Sequence, residues 1–206
     1  MFIVIEGIDG CGKSTQAGLL VDVLKKSKAK PKAEVLHLHE PGGTRLGEAM
    51  RELLLRTEPK VEISARAEAL LYNAARAELV EEVLLPALAA GKHVVCERYF
   101  YSTIAYQGYG LQQDTGALHG LCAYATGKLK PDVVVLLDLP AAQSFERMKR
   151  GKDRIESRGH EYLEHVRQGY LLLRSREPER FRVVSALGSQ DDVHRRILEA
   201  LADVLP

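Results

Sequence analysis

Residues 7–14 read Gly-Ile-Asp-Gly-Cys-Gly-Lys-Ser, and no other stretch of the 206 residues constrains the fold as tightly. The spacing Gly-x4-Gly-Lys-Ser is that of a loop whose backbone N–H groups converge on phosphate oxygens. Such a loop leaves a strand and enters a helix, whose N-terminal dipole favours the anion. The flanking sequence meets that demand. Residues 1–6, Met-Phe-Ile-Val-Ile-Glu, read as a short buried strand, and Gln16–Lys26 sets Leu19, Leu20, Val23 and Leu24 on one helical stripe. Glycines let the backbone approach the ligand closely, Lys13 can reach the β and γ phosphates, and the Ser14 hydroxyl can ligate Mg²⁺. The expectation is ATP or a similar triphosphate bound with Mg²⁺, cradled by Gly7, Ile8, Asp9, Gly10, Cys11, Gly12, Lys13, Ser14 and Thr15.

Apolar, β-rich runs recur at Glu34–Leu38, His93–Cys96, Val133–Leu137 and Arg182–Val184. Helical periodicity fills the gaps. Ala65–Ala90 is long, with Ser64 as N-cap and Gly91 as stop, and Tyr162–Arg176 and Asp192–Leu205 read as further helices. Alternating strands and helices predict an α/β domain with a parallel sheet of about five strands and helices on both faces. No repeat or linker divides the chain, so residues 1–206 are expected to form a single domain. Residues 149–160 differ in texture: charged, with two glycines and no apolar stripe. They read as a solvated loop, or as a mobile basic lid over an anionic ligand, with its basic residues beginning at about 147.

Lys+Arg of 29 against Asp+Glu of 28 gives a net charge of +1, which argues against adhesion to a nucleic acid polymer or an anionic membrane. Anion binding must come from local clusters. Three cysteines, Cys11, Cys96 and Cys122, lack metal or disulfide spacing and suggest a reducing compartment. No signal-like segment or membrane-length apolar run is present, so a soluble cytoplasmic protein is expected.

The phosphate loop leaves the reaction open. No Asn-Lys-x-Asp stretch follows a strand, as a GTPase switch would need, and the chain is short for a motor. A small-molecule kinase is the main candidate. Two strand-end carboxylates, Glu97 and Asp138, compete to hold a magnesium water, and analogy with P-loop kinase sheets favours Glu97. Arg98 could bridge donor and acceptor phosphates. Glu40-Pro-Gly-Gly-Thr44 follows the second strand, where open α/β sheets bind ligands. Tyr72 and Arg76 lie four apart on one helix face, as a base-stacking pair or as packing plus surface charge.

Together these strings resemble bacterial members of the thymidylate kinase family, nearly from end to end. The matching stretches are Gly7–Gln16, Glu40–Thr44, Leu70-Leu-Tyr-Asn-Ala-Ala-Arg76, Glu97-Arg98-Tyr99, Ser102–Gly108, Lys130-Pro-Asp132 and Asp153-Arg-Ile-Glu156. The resemblance implies transfer of the γ-phosphoryl group of ATP to dTMP, giving dTDP and ADP. It implies that Asp9 sits by the acceptor sugar and phosphate, and that Arg51 and Arg98 contact the dTMP phosphate. Tyr72 is expected to stack on thymine and Arg76 to bond its O4. Glu40, Pro41, Ser102 and Gln107 are expected to line the acceptor pocket, with Tyr106 where a ribose 2′-hydroxyl would project. It further implies a homodimer through the long helix over about 65–90. The family places its transfer arginine either in the phosphate loop or in the lid. Gly10 occupies the loop position, so the lid residues Arg147, Arg150 and Arg154 (with Lys149 and Lys152) are expected to act there, beside Lys13, Arg98 and Asp9.

Two positions depart from the family pattern. Glu97 stands where Asp is usual, and His39 where Arg often precedes Glu40. Glu-Arg at this place also occurs in deoxynucleoside kinases, where the Glu is a base for a hydroxyl acceptor. A monophosphate acceptor is mostly dianionic at neutral pH and needs neutralisation and alignment, not a base. The surplus of arginines fits the monophosphate. A non-catalytic nucleotide-binding module is the alternative of a different class.

Overall fold

The computed structural model describes residues 1–27, 34–56, 62–148 and 153–205. All five expected strands form: β1 (Phe2–Glu6), β2 (Val35–His39), β3 (His93–Glu97), β4 (Val133–Asp138) and β5 (Phe181–Ser185). They make one parallel sheet in the order β2-β3-β1-β4-β5. The two-residue period of a strand sends alternate side chains to opposite faces. In β1, Phe2 and Val4 enter one core and Ile3 and Ile5 the other; in β4, Val134 and Leu136 oppose Val133, Val135 and Leu137. This is why the central strands are apolar throughout, as a sheet covered on both faces requires.

The helices are α1 (Lys13–Lys26), α2 (Arg45–Leu55), α3 (Ala65–Leu79), α4 (Leu85–Ala89), α5 (Phe100–Thr103), α6 (Thr115–Ala125), α7 (Ala141–Arg147), α8 (His160–Arg176) and α9 (Gln190–Ala200). Leu20 and Leu24 of α1 and Val193 and Ile197 of α9 fill one core. Leu79 of α3, Leu118 of α6 and Leu163, Val166 and Tyr170 of α8 fill the other. Among the described residues no helix is long and apolar enough to cross a membrane.

Three differences from the sequence reading have local causes. The long helix over Ala65–Ala90 begins at Ser64, whose hydroxyl accepts from the Ala67 N–H at 3.4 Å, but it widens to π geometry over Val80–Leu84. Pro86 lacks an N–H and its ring would strike the carbonyl four residues back, so the turn before it opens and Leu85 N–H reaches Val80 O. The last helix starts earlier than expected because Ser189 and Asp192 form a capping box, and it ends at Ala200. Residues Glu156–Arg158, read as part of a loop or lid, form a short 3₁₀ turn leading into α8. Lys149, Arg150 and Lys152 lie outside the described residues.

Candidate active site

The carboxyl ends of β1, β2 and β3 open into one cavity of about 520 Å³, at the edge where parallel sheets bind ligands. Asp9, Gly10, Gly12, Lys13, Ser14 and Thr15 form one wall. Gly7 is set in the left-handed half of backbone space (φ 143°), and a Cβ there would lie 2.6 Å from Leu137 O. Only glycine lets the loop leave β1 against β4. The Ile8 and Cys11 side chains turn into the two cores, and the Gly7 carbonyl accepts from Lys13 and Arg98, so what these three residues can offer a ligand is backbone. Lys13 Nζ donates to Gly7 O at 3.1 Å and Ile8 O at 2.9 Å, so the cation lies folded over its own loop.

Ser14 Oγ donates to Glu97 Oε2, and His37 Nε2 lies 2.9 Å from Glu97 Oε1. Both β3 and β4 flank β1, so adjacency alone does not separate Glu97 from Asp138. Their partners do. Asp138 is held by Arg167 through bonds of 2.7 and 3.0 Å, whereas Glu97 lines the cavity beside Ser14. Hydroxyl and carboxylate oxygens are the hard donors Mg²⁺ takes, and Mg²⁺ completes its shell with water and substrate phosphate, so this pair fits that ion. Among the described residues no three His, Cys, Asp or Glu side chains cluster as an all-protein metal cage.

Arg98 joins the two sides of the cavity. Its backbone is left-handed (φ 68°), a conformation a non-glycine residue holds only when its surroundings fix it. The Arg98 N–H donates to Ile5 O at 2.9 Å. Its guanidinium pairs with Asp9 and donates to Ser102 Oγ at 3.2 Å and Tyr106 Oη at 3.1 Å. Tyr106 in turn donates to Asp9 Oδ2 at 2.8 Å. Burial pushes the Asp9 carboxyl up, but Arg98, Lys13 and these hydrogen bonds outweigh it and leave it below its ordinary value.

The sequence reading missed Glu6, which underlies this network. Its Oε1 accepts from Tyr99 N–H at 2.8 Å and its Oε2 from Ser102 Oγ at 2.7 Å and Tyr170 Oη at 2.8 Å. The signal was present: a charge ending an apolar buried strand must have partners.

The facing wall carries Glu40, Pro41, Arg51, Tyr72, Arg76, Ser102, Tyr106 and Gln107, with Leu55 and Ile155 as apolar surface the sequence reading did not identify. Arg51 donates to Pro41 O at 3.0 Å. Arg76 is 2% exposed and all five of its N–H groups have protein partners: Glu40 Oε2 from both Nε and Nη2, Asn73 and Thr103 from Nη1, and Tyr99 O from Nη2. A bond from Arg76 to a base carbonyl therefore requires one of these to be shared. Burial pushes the Glu40 carboxyl up to about 7 against the pull of Arg76. Glu40 Oε1 is buried without a hydrogen-bond partner among the described residues.

Of the expected lid arginines, Arg147 lines the cavity and donates to Ala186 O at 3.1 Å. Arg154 is not part of the cavity wall. It donates to Leu54 O at 2.8 Å and to Glu68 Oε2 at 2.6 Å, so the segment after residue 152 is tied to α2 and α3. Arg150 lies outside the described residues.

A phosphate loop and an arginine-lined second wall sharing one cavity on this sheet define a phosphotransferase of the P-loop kinase fold. The sequence profile described as thymidylate kinase matches residues 5–197. The chain is 44% identical to a thymidylate kinase of Fervidobacterium nodosum over 97% of each protein. It is 45% identical to that of Pelotomaculum thermopropionicum over 99% of this chain and 94% of the relative. A crystal structure of thymidylate kinase from Ehrlichia chaffeensis superposes with a TM-score of 0.77 at 29% identity, covering 98% of both chains. The chain belongs to the thymidylate kinase family.

Proposed function

We propose that this protein transfers the γ-phosphoryl group of ATP to dTMP, giving dTDP and ADP. The observation that carries this reading is Arg98, which spans from Asp9 of the phosphate loop to Ser102 and Tyr106 of the opposite wall. A cation at that seam can meet both an acceptor phosphate and the charge that grows between the nucleotides. Catalysis is then alignment plus electrostatics, with no covalent intermediate. Lys13 and the loop amides hold the donor phosphates, and Arg51 and Arg98 the acceptor phosphate. Tyr72 supplies a face for the base, and Arg76, Ser102, Gln107 and the Glu40-Pro41 turn shape its pocket. Tyr106 crowds the 2′ position of the sugar. Arg147, and Arg150 or Arg154 on closure of the segment about residues 147–160, add positive charge at transfer.

Ser14 and Glu97 would hold Mg²⁺, directly or through water, and the bound ion would neutralise donor phosphate charge. Glu97 has Ser14 and His37 as partners, which sets it on the donor side and disfavours a role as base toward a nucleoside hydroxyl. The whole chain acts as one domain in the cytoplasm. It pairs with a second copy through the long helix, where Leu70 is 56% and Leu85 42% exposed.

ADP release measured with dTMP, dUMP, thymidine, dCMP and AMP offered separately tests the activity. Strong turnover with dTMP and none with thymidine is expected. Preference for thymidine would overturn the monophosphate reading, and ATP binding without turnover of any acceptor would overturn the catalytic one.

A further inference from the structure

Glu68 lies on α3 one turn before Tyr72 and two before Arg76, fully buried behind the acceptor wall. Its Oε1 accepts from Gln107 Nε2 at 2.9 Å and Arg158 Nη1 at 3.0 Å. Its Oε2 accepts from Arg154 Nη2 at 2.6 Å and Arg158 Nη2 at 2.5 Å. All four contacts are donors. Two arginines keep the group ionised, and an ionised carboxylate can only accept. Burial pushes the carboxyl up, but Arg158, Gln107 and Arg154 outweigh it and hold it below its ordinary value.

An amide beside such a group has one permitted orientation. Gln107 must turn its NH₂ to Glu68, because the flipped amide would set oxygen against oxygen. Gln107 is 2% exposed and lines the cavity, and its side-chain oxygen has no donor among the described residues. The carbonyl is then what the amide offers a ligand.

We propose that Glu68 is a positioning residue that locks the Gln107 amide so that the acceptor pocket selects a base with an N–H donor on its pairing edge. The inference rests on the base-pocket reading of Gln107 given above. Thymine carries such a donor between its two carbonyls; cytosine carries a bare acceptor nitrogen there. A carbonyl facing that nitrogen leaves two buried acceptors opposed, the kind of mispairing on which binding sites discriminate most strongly. A free amide would rotate and serve either base. The selection therefore lies in Glu68, one residue behind the contact.

The rival is that Glu68 only anchors Arg154 and Arg158. Measuring dissociation constants and kcat/KM for dTMP and dCMP in four proteins separates the two. Glu68→Gln, whose new amide can face Gln107 either way, should narrow the dTMP-over-dCMP preference by about ten-fold or more, the worth of one hydrogen bond made or mispaired. The double variant Glu68→Gln/Gln107→Glu exchanges donor and acceptor across the same contact and keeps the number of carboxylates. It should restore the preference. Arg158→Gln loosens the anchor and leaves the Glu68–Gln107 bond, so its preference should stay that of the unaltered protein.

An unchanged preference in Glu68→Gln overturns the proposal, as does a preference narrowed equally in Arg158→Gln. If Glu68→Gln does not fold, NMR of the unaltered protein with dTMP decides: contacts of the Gln107 side-chain NH₂ with the Glu68–Arg158 side and none with the base support the proposal, and contacts of that NH₂ with the base overturn it. If the unaltered protein turns over no monophosphate, the kinase reading fails, while the ratio of dissociation constants still tests Glu68.

Discussion

The two walls of the cavity are built by opposite means. The phosphate-loop wall, the donor wall of the proposed reaction, comes from one short segment, Asp9 to Thr15, whose chemistry is mostly backbone, while the Cys11 side chain within it and Ile8 before it turn into the cores. The facing wall, the acceptor wall of the proposed reaction, is gathered from the turn after β2, from α2 and α3, and from α5 and the π-helical stretch Ile104–Gly110 that follows it. Its chemistry is side chains, several of them charged and buried, and each depends on the next. The donor site therefore survives loss of a neighbour; the acceptor site couples binding to stability. Arg98 belongs to both.

Arg98→Ala should give the largest effect. It removes the cation at the seam, and a comparable transfer arginine is worth about 10³–10⁵ in rate. Turnover should fall at least about a thousand-fold while ATP affinity changes little. A loss confined to acceptor affinity, with kcat intact, would return Arg98 to the acceptor wall alone.

Arg76→Ala comes next. Removing one member of a buried ion pair costs about 3–5 kcal/mol because the other charge is left uncompensated. Glu40 would be that charge, already with one oxygen lacking a partner. Denaturant unfolding should show the loss, and calorimetry should show dTMP binding weakened more than ATP binding. Equal weakening of both ligands would break the distinction between the walls.

That asymmetry also explains what could be read in advance. The phosphate loop was legible because contiguous spacing dictates a backbone shape, the central strands β1, β3 and β4 because their apolar runs are nearly unbroken, and the edge strands β2 and β5 from shorter apolar runs interrupted by His37 and Arg182. The preference for Glu97 over Asp138 rested on analogy alone, since both strands flank β1, and the Arg167 pair that distinguishes Asp138 is a tertiary contact. Tyr72 and Arg76 stood out by their spacing, whereas Glu68 extends the same stripe by one turn and reads as an ordinary helical surface charge. Its arginines arrive from 86 and 90 residues away. Glu6, at the end of an apolar strand, could be expected to have partners, but Tyr99, Ser102 and Tyr170 could not be named from spacing. Burial of a charge is a tertiary fact, and partners across long separations have no sequence spacing to betray them.

Glu40 gives a smaller, pH-dependent contrast. Its carboxyl rises from 4.5 to about 7 on folding, so the folded state holds the proton more tightly between those values. Stability from this group is full below pH 4.5 and is lost as pH rises through about 7. Glu40→Gln removes the titration. The unaltered protein should lose stability relative to Glu40→Gln between pH 5 and pH 8, by about 3 kcal/mol at most. Parallel pH profiles would mean that Arg76 keeps Glu40 fully ionised throughout.

Cys11→Ala should have the smallest effect, and it tests the donor wall from behind. The thiol is 2% exposed, packs in the core with Ile3, Ile5 and Leu137, and stands where a Cβ on Gly7 would come within 2.8 Å of it. Burial pushes the thiol up, away from the thiolate that reacts or is oxidised. The sulfur also accepts from Lys13 Nζ at 3.9 Å, a contact weaker than the bonds of Lys13 to Gly7 O and Ile8 O, so its removal should cost about 1 kcal/mol of stability and change ATP affinity little. Thiol reagents should likewise leave ATP binding intact in the native protein. Rapid modification with loss of ATP binding would show that the loop opens to expose Cys11. The donor wall would then share the sensitivity that distinguishes the acceptor wall.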